Sequence, residues 1–214
     1  MPAREPLALT GPLAGNHLAI LRDATTDSPA FRRSAHVLTT LVLAAALQEF
    51  GDRERTVVTP LAETVVRVPA RRITIVPILR AGLAMLQPAL DLLPDDTRVG
   101  FLGMARDEAT LRPRAYLDSL PAELDGDDVL ILDVMIATGG SIVASIAALR
   151  AGGATRIRLA GIIAAPEGLA AIRAADDEVP ITVAAIDSGL DERGFILPGL
   201  GDAGDRLYAE SAPG

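Results

Sequence analysis

The sequence predicts an α/β fold: an open, mainly parallel sheet with helices on both faces. Three observations carry this. From Arg72 onward, short β-branched runs alternate with Ala/Leu-rich segments of helical character. Half of the residues are hydrophobic but only 3% are aromatic, a mix suited to helices packed on a buried parallel sheet. A chain of 214 residues is also long enough to bury a substantial core as a single domain, 1–214, with small appendages.

Taken in order, Ser28-Pro29 reads as an N-cap followed by proline at the first helical position. Apolar residues then recur at helical spacing from Phe31 to Phe50, until Gly51 stops the helix. The N-terminal helical segment is expected over about residues 1–54. Arg55 to Val68 alternates apolar and charged residues and is broken by Pro60, which predicts a short, peripheral β-ribbon at a sheet edge. Strands follow at Ile73–Ile78, Val99–Met104, Val129–Asp133, Ile157–Ala164 and Ile181–Ile186. Helices are expected at Gly82–Leu93, Ser141–Ala151 and Glu167–Ala175, the first two stopped by Pro94 and by Gly152-Gly153. Asp107 to Asp127 is polar and, at about twenty residues, too long for an ordinary connection, so a mobile flap and a plain surface excursion are weighed evenly.

Composition removes several classes of chemistry. The formal charge of −8 argues against non-specific nucleic-acid binding. There is no cysteine, hence no disulfide, thiolate nucleophile or Cys-ligated zinc. All twenty basic residues are arginine, which excludes Schiff-base chemistry and a Walker-type lysine. A bound phosphate must therefore be held by Arg and backbone amides. No signal peptide is read at the start, and the greasiest runs, Val37–Leu47 and Leu159–Ala165, are well short of the ~20 residues a membrane span needs. A cytoplasmic protein without membrane contact is expected.

In open parallel sheets, ligands bind beyond the carboxyl ends of the strands. The residues there are polar: Arg80-Ala81-Gly82, Arg106-Asp107-Glu108, Asp133 leading to Thr138-Gly139-Gly140-Ser141, Pro166-Glu167-Gly168, and Asp187-Ser188-Gly189. The most informative stretch is Val129 to Ser141, a buried strand ending in an acid, then a glycine-bearing loop that opens a helix. Amides of Ala137 to Ser141 and the positive helix end would converge on a phosphate. Asp133 would accept hydrogen bonds from sugar hydroxyls or assist a metal. Arg80, beside a Gly82 that permits unusual backbone conformations, suits a loop around a pyrophosphate, and an unusual peptide is expected near Arg80-Ala81. With Arg106 it would clamp a polyanion. Gly199-Leu200-Gly201-Asp202-Ala203-Gly204 matches G-x-G-x-x-G letter for letter, but Pro198 precedes it and only ten residues follow, so the dinucleotide reading is rejected. His17 and His36 are read as structural, and Asp127-Asp128 and Asp176-Asp177 as solvated flanks.

Together, Val76-Pro77-Ile78-Leu79-Arg80-Ala81-Gly82-Leu83, the Asp133 to Ser141 segment, Ala164-Ala165-Pro166-Glu167-Gly168 and Ile196 through Arg206 resemble the uracil phosphoribosyltransferase family, over about Leu13 to Tyr208. The resemblance implies a phosphoribosyltransferase-type sheet with a flap at 107–127 and a base-binding hood and tail at 187–214. It implies the reaction of uracil with 5-phosphoribosyl 1-diphosphate to give UMP and diphosphate, with Mg²⁺ carried by the donor and no direct protein ligand assigned to it. By matching position, Arg80, Arg106, Asp133 and Asp202 would work at the reacting centre. The donor would be held by Arg80, Arg106 and Asp202 and by Asp133, Val134, Met135, Ile136, Ala137, Thr138, Gly139, Gly140 and Ser141. Ile196, Gly201, Asp202 and Ala203 would read uracil, largely through main-chain groups. A homodimer or higher homo-oligomer is expected, and a GTP effector is left open.

Three positions depart from the family pattern: Val134 replaces the usual Pro, Phe195 a common Tyr, and Ala44-Ala45-Ala46 a usual Tyr-Glu-Ala. They put in doubt the loop entry, a hydroxyl contact, and oligomer or effector contacts, respectively. Two other readings stay open at this level. One is a same-fold enzyme for another base, which the Ile196 to Asp205 segment argues against. The other is an RNA-binding regulator, which the acidic balance does not favour.

Overall fold

The computed structural model describes residues 5–106 and 113–208. In chain order the elements are β1 (Leu7–Ala8), α1 (Pro12–Arg22), α2 (Ser28–Ala46), β2 (Asp52–Val58), β3 (Glu63–Pro69) and β4 (Ile73–Leu79). A 3-10 turn, Ala81–Met85, runs into α3 (Leu86–Leu92), followed by β5 (Arg98–Val99), β6 (Phe101–Arg106), β7 (Pro113–Ser119), β8 (Asp128–Ile136) and α4 (Gly140–Ala151). The chain continues through β9 (Arg156–Ala164), α5 (Pro166–Ala175), β10 (Ile181–Ile186), β11 (Gly189–Leu190), β12 (Ile196–Leu197) and α6 (Ala203–Tyr208).

The main sheet runs β1-β10-β9-β8-β4-β6-β7, with β5 also paired to β4. Its pairings are parallel except β6 with β7. Helices cover both faces, as expected for strands that read as continuous apolar runs. One face packs under α1, α2, α3 and α6 through Phe31, Leu38, Leu43, Met85 and Leu207. The other packs under α4 and α5 through Ile142, Leu149 and Ile172. β8 feeds both: Leu130 and Leu132 enter the first core, Val129 and Ile131 the second, all fully buried. Each such side chain contributes roughly 1.5–3 kcal/mol relative to an exposed one.

The local predictions hold with particular corrections. α2 is capped by Asp27, whose carboxylate accepts from the Ala30 amide at 2.7 Å, so Ser28 is helical. The ribbon forms, but β2 and β3 make a sheet of their own and do not join the edge of the main one. The strand expected at Val99–Met104 is broken at Gly100, whose amide donates to the Ile75 carbonyl at 2.9 Å. β8 runs three residues past Asp133, so the acid lies within the strand. Of the expected flap, residues 107–112 lie outside the described residues, and Pro113–Ser119 is a strand hydrogen-bonded to β6. Among the described residues, no helix is long and apolar enough to cross a membrane.

Asp127 and Asp128 are not solvated flanks: both are buried. The Asp127 carboxylate accepts from Thr74 Oγ1 at 2.6 Å, Arg72 Nε at 3.2 Å and Arg98 Nε at 3.1 Å, tying β4, β5 and the approach to β8 together. Asp128 pairs with Arg156 Nε at 3.1 Å, and Asp176 pairs with Arg150 at 2.6 Å. A charge next to a strand reads as solvent-facing in sequence, and only the fold brings arginines from distant positions to it. His17 has the structural role expected, with Nδ1 3.3 Å from Ser34 Oγ between α1 and α2.

Candidate active site

The carboxyl ends of β4 and β8, the start of α4, and the segment from Arg193 to Gly204 enclose two cavities of about 290 and 220 Å³. Asp133, Met135, Ser141 and Asp202 line both, so the two form one trough. The larger end adds Ile136, Ala137, Thr138 and Gly139 from the loop before α4, and Arg193, Gly194 and Phe195 from the segment before β12. The smaller end adds Arg80, Ala81, Met104, Ala203 and Gly204.

The loop before α4 follows from two glycines in close contact. Gly139 has φ 79 and occupies the N-cap without any side-chain cap, which leaves the first-turn amides of α4 for a ligand. A Cβ on Gly168 at the start of α5 would sit 2.3 Å from the Ala137 carbonyl oxygen, and one on Gly139 would sit 2.6 Å from the Gly168 carbonyl oxygen. The loop therefore rests directly on the α5 backbone. Gly82 needs a different account from the one sequence suggested. Its φ is not positive; a Cβ there would lie 2.4 Å from the Leu132 carbonyl oxygen, so glycine is required by close packing of the Arg80 turn against β8. The Leu79–Arg80 peptide is cis, and the Arg80 guanidinium is exposed, with Asp205 Oδ1 at 3.7 Å as a loose partner.

Asp133 is the electrostatic centre of the trough. Burial pushes its carboxyl up to about 7, held back by hydrogen bonding from the Met135 and Val134 amides. The Met135 contact is 3.5 Å long. A proline at 134, as in the family pattern, would have no amide to give. Asp202 is exposed and caps α6, accepting from the Asp205 amide at 3.0 Å.

Not every expected site residue faces the trough. Val134 is fully buried in the core on the α1, α2, α3 and α6 face of the sheet, so its side chain is not available to a ligand. Ile196 is likewise core, at 4% exposure, leaving its main chain alone for recognition. Gly140, Gly201 and Ile196 line neither cavity, whereas Ala203 lines the smaller one. Arg106 closes β6, next to β4 in the sheet. The G-x-G-x-x-G segment follows a cis Leu197–Pro198 bond and leads into the six-residue α6, which is incompatible with a dinucleotide-binding βαβ unit.

Sequence reasoning missed the anchor of this segment. Arg22 at the end of α1 donates to both carboxylate oxygens of buried Asp187, at 2.9 and 2.5 Å, and to the Gly199 carbonyl at 2.9 Å. The Gly199 amide returns to Asp187 Oδ2 at 2.9 Å. Arg206 adds bonds to the carbonyls of Leu200 at 2.8 Å and Asp23 at 2.6 Å and lies 4.4 Å over the Phe31 ring. No local pattern could have paired residues 22 and 187. Among the described residues, no group of three or more His, Asp or Glu could hold a metal ion.

A mainly parallel sheet with a glycine-opened loop at its carboxyl edge and a separate C-terminal segment beside it is the architecture of the phosphoribosyltransferase class. The fold of a purine phosphoribosyltransferase from Pyrococcus horikoshii is similar, with a TM-score of 0.51 at 16% identity over 72% of this chain and 83% of that one. Within that class, residues 8–209 match the family model of uracil phosphoribosyltransferase, and the chain belongs to the uracil phosphoribosyltransferase family. Uracil phosphoribosyltransferases of Kineococcus radiotolerans and Roseiflexus castenholzii are 50% and 49% identical, each over 92% of this chain and 95% and 94% of theirs. The structure of the AQ2163 protein from Aquifex aeolicus covers 98% of this chain and 100% of its own, with a TM-score of 0.90 and 35% identity.

Proposed function

We propose that this protein transfers the phosphoribosyl group of 5-phosphoribosyl 1-diphosphate to uracil, giving UMP and diphosphate, a step of pyrimidine salvage in the cytoplasm. The observation that carries the reading is that residues of the Asp133–Ser141 loop and of the Arg193–Gly204 segment line one trough. A sugar phosphate and a base can then be held by different segments of the chain.

In this scheme the amides of Ala137 to Ser141 hold the donor's 5-phosphate, and the Asp133 carboxylate accepts from its ribose hydroxyls. Arg80 and Arg106 bind the diphosphate, which would bring Mg²⁺ with it, and Asp202 touches the donor between the two ends. The bond from the anomeric carbon to the diphosphate oxygen breaks, the bond to uracil N1 forms, and the N1 proton leaves to the departing diphosphate or to solvent. Departure of the leaving group builds oxocarbenium character, so catalysis rests on positioning and on guanidinium charge opposite the growing negative charge. Main-chain groups of Ile196, Gly201 and Ala203 read uracil's O2, N3–H and O4. Cytosine leaves such groups unpaired, at a cost of several kcal/mol.

The same reading includes a homodimer or higher homo-oligomer, which the exposed Val58, Leu61 and Val65 of the ribbon support. A GTP effector, if one acts, would meet Arg53, Arg55, Arg71 and Arg72 beside Asp95 and Asp96 in a third cavity of about 460 Å³. The test is an assay of purified protein with Mg²⁺ and donor, offering uracil, cytosine, hypoxanthine and orotate separately. UMP is expected from uracil alone. Turnover of another base would move the specificity, and donor binding without any turnover would overturn the enzymatic reading.

A further inference from the structure

The loop that faces the larger cavity brings no cation of its own. From Asp133 to Ser141 its only charged residue is the acid, and Asp202 places a second carboxylate on the same trough. A phosphate dianion entering there meets two carboxylates and needs a positive charge besides the α4 amides. Arg80 lines only the other cavity. Among the described residues one cation lines this end, and it comes from a different segment of the chain: Arg193.

Arg193 is held as such a cation would be. Its turn is fixed by Asp191, whose carboxylate accepts from the Arg193 amide at 2.9 Å and the Phe195 amide at 2.8 Å. Gly194 between them has φ 80, and its amide donates to the Asp191 carbonyl at 2.9 Å, closing the turn. The Arg193 guanidinium lies 5.3 Å from the centroid of the Phe195 ring, which lines the same cavity. The side chain is exposed and forms no ion pair among the described residues. A guanidinium stacked on an aromatic face keeps its fork of donors free in the ring plane and loses less rotamer freedom on binding.

We propose that Arg193 is a phosphate-binding residue of the trough, taking the 5-phosphate of donor and product from the Phe195 side while the Ala137–Ser141 amides take it from the other. This rests on the phosphoribosyl reading above and adds a residue to it. It also gives Phe195 a role that needs no hydroxyl, as the platform that aims the guanidinium.

The test is calorimetric titration of the full-length protein with ribose 5-phosphate, alongside initial rates with donor and uracil varied in turn. Arg193→Gln is expected to raise the Kd for ribose 5-phosphate and the KM for donor about tenfold, the usual size for one charge-assisted bond, with the KM for uracil changed less than twofold. Arg193→Lys keeps the charge without the fork and should fall between. Because the residue is exposed, the melting temperature should be unchanged in both. Equal ribose 5-phosphate affinity in wild type and Arg193→Gln would overturn the proposal while leaving the transferase reading intact. A wild type that neither binds ribose 5-phosphate nor forms UMP would remove the reading, and this proposal with it.

Discussion

At the scale of single residues, Asp133 makes the sharpest prediction, because its native carboxyl is raised to about 7 by burial, against roughly 3.9 in an unfolded chain. Between those values the folded state holds a proton that the unfolded state has released. Native stability from this group is therefore undiminished below about pH 4, declines as pH rises, and reaches its full deficit above pH 7. Asp133→Asn removes the deficit. It should stabilise the ligand-free protein by a few kcal/mol at pH 8 and by almost nothing at pH 4, while lowering kcat with donor and uracil. Urea midpoints of both proteins at the two pH values check it, and a gain of the same size at each would show that desolvation of the charge is not the cause. The position of Asp133 could be read from its strand and loop, but its enclosure could not, because burial depends on the elements packed around β8, among them β9, where Asp133 pairs with Gly161. Glycines 82 and 168 teach the same lesson. The letters stood out, yet the reason for each is one carbonyl oxygen on another element.

Among the elements, the segment over the trough is the least autonomous. β11 and β12 pair over two residues each, and α6 is a single turn and a half, so little local structure fixes their position. Arg22 supplies what is missing by fastening Asp187 and Gly199 to the end of α1. Arg22→Ala leaves a carboxylate of 3% exposure with only the Gly199 amide. The expected loss is about 2–4 kcal/mol of stability, together with a raised KM for uracil, because the main-chain groups that would read the base, at Ile196, Gly201 and Ala203, flank Gly199. Arg22→Lys should recover part of the stability, since a point charge replaces the fork without its second bond. Thermal melts and uracil KM values decide it. If Arg22→Ala melts as wild type does, the bonds carry no weight in holding this segment. The longer elements were legible from period alone: α2, β9, β10 and α5 lie within a few residues of their sequence expectation, since each has an uninterrupted apolar pattern. The ribbon was legible as a hairpin but not in its placement, because alternation marks a strand and says nothing about which sheet it joins.

Across the whole molecule, the mainly parallel character of the sheet was legible, though not its strand order, because apolar strands alternating with helices permit few other arrangements. What escaped was the polar scaffolding, where contacts join positions dozens of residues apart. Asp127 is the main example. Burial pushes its carboxyl up, but the Thr74 hydroxyl and the Arg98 and Arg72 guanidinium groups outweigh that and hold it below the ordinary carboxylate range. Its linkage therefore has the opposite sign to that of Asp133. The stabilisation is present above about pH 4, where the unfolded carboxyl is already ionised, and is lost as pH falls through the lower native value. The two acids together shape the stability profile: an acid limb set in part by Asp127, and a decline from about pH 4 to 7 set in part by Asp133. Asp127→Asn should lower stability at neutral pH by about 2–4 kcal/mol, tempered by the exposure of Arg72, and should flatten the acid limb while leaving the decline toward pH 7 in place. Urea midpoints from pH 3 to 8.5 for wild type, Asp127→Asn and Asp133→Asn separate the limbs. An acid limb unchanged in Asp127→Asn would assign it to other carboxylates, such as Asp23 and Asp52, whose native values are also lowered by their hydrogen-bond partners.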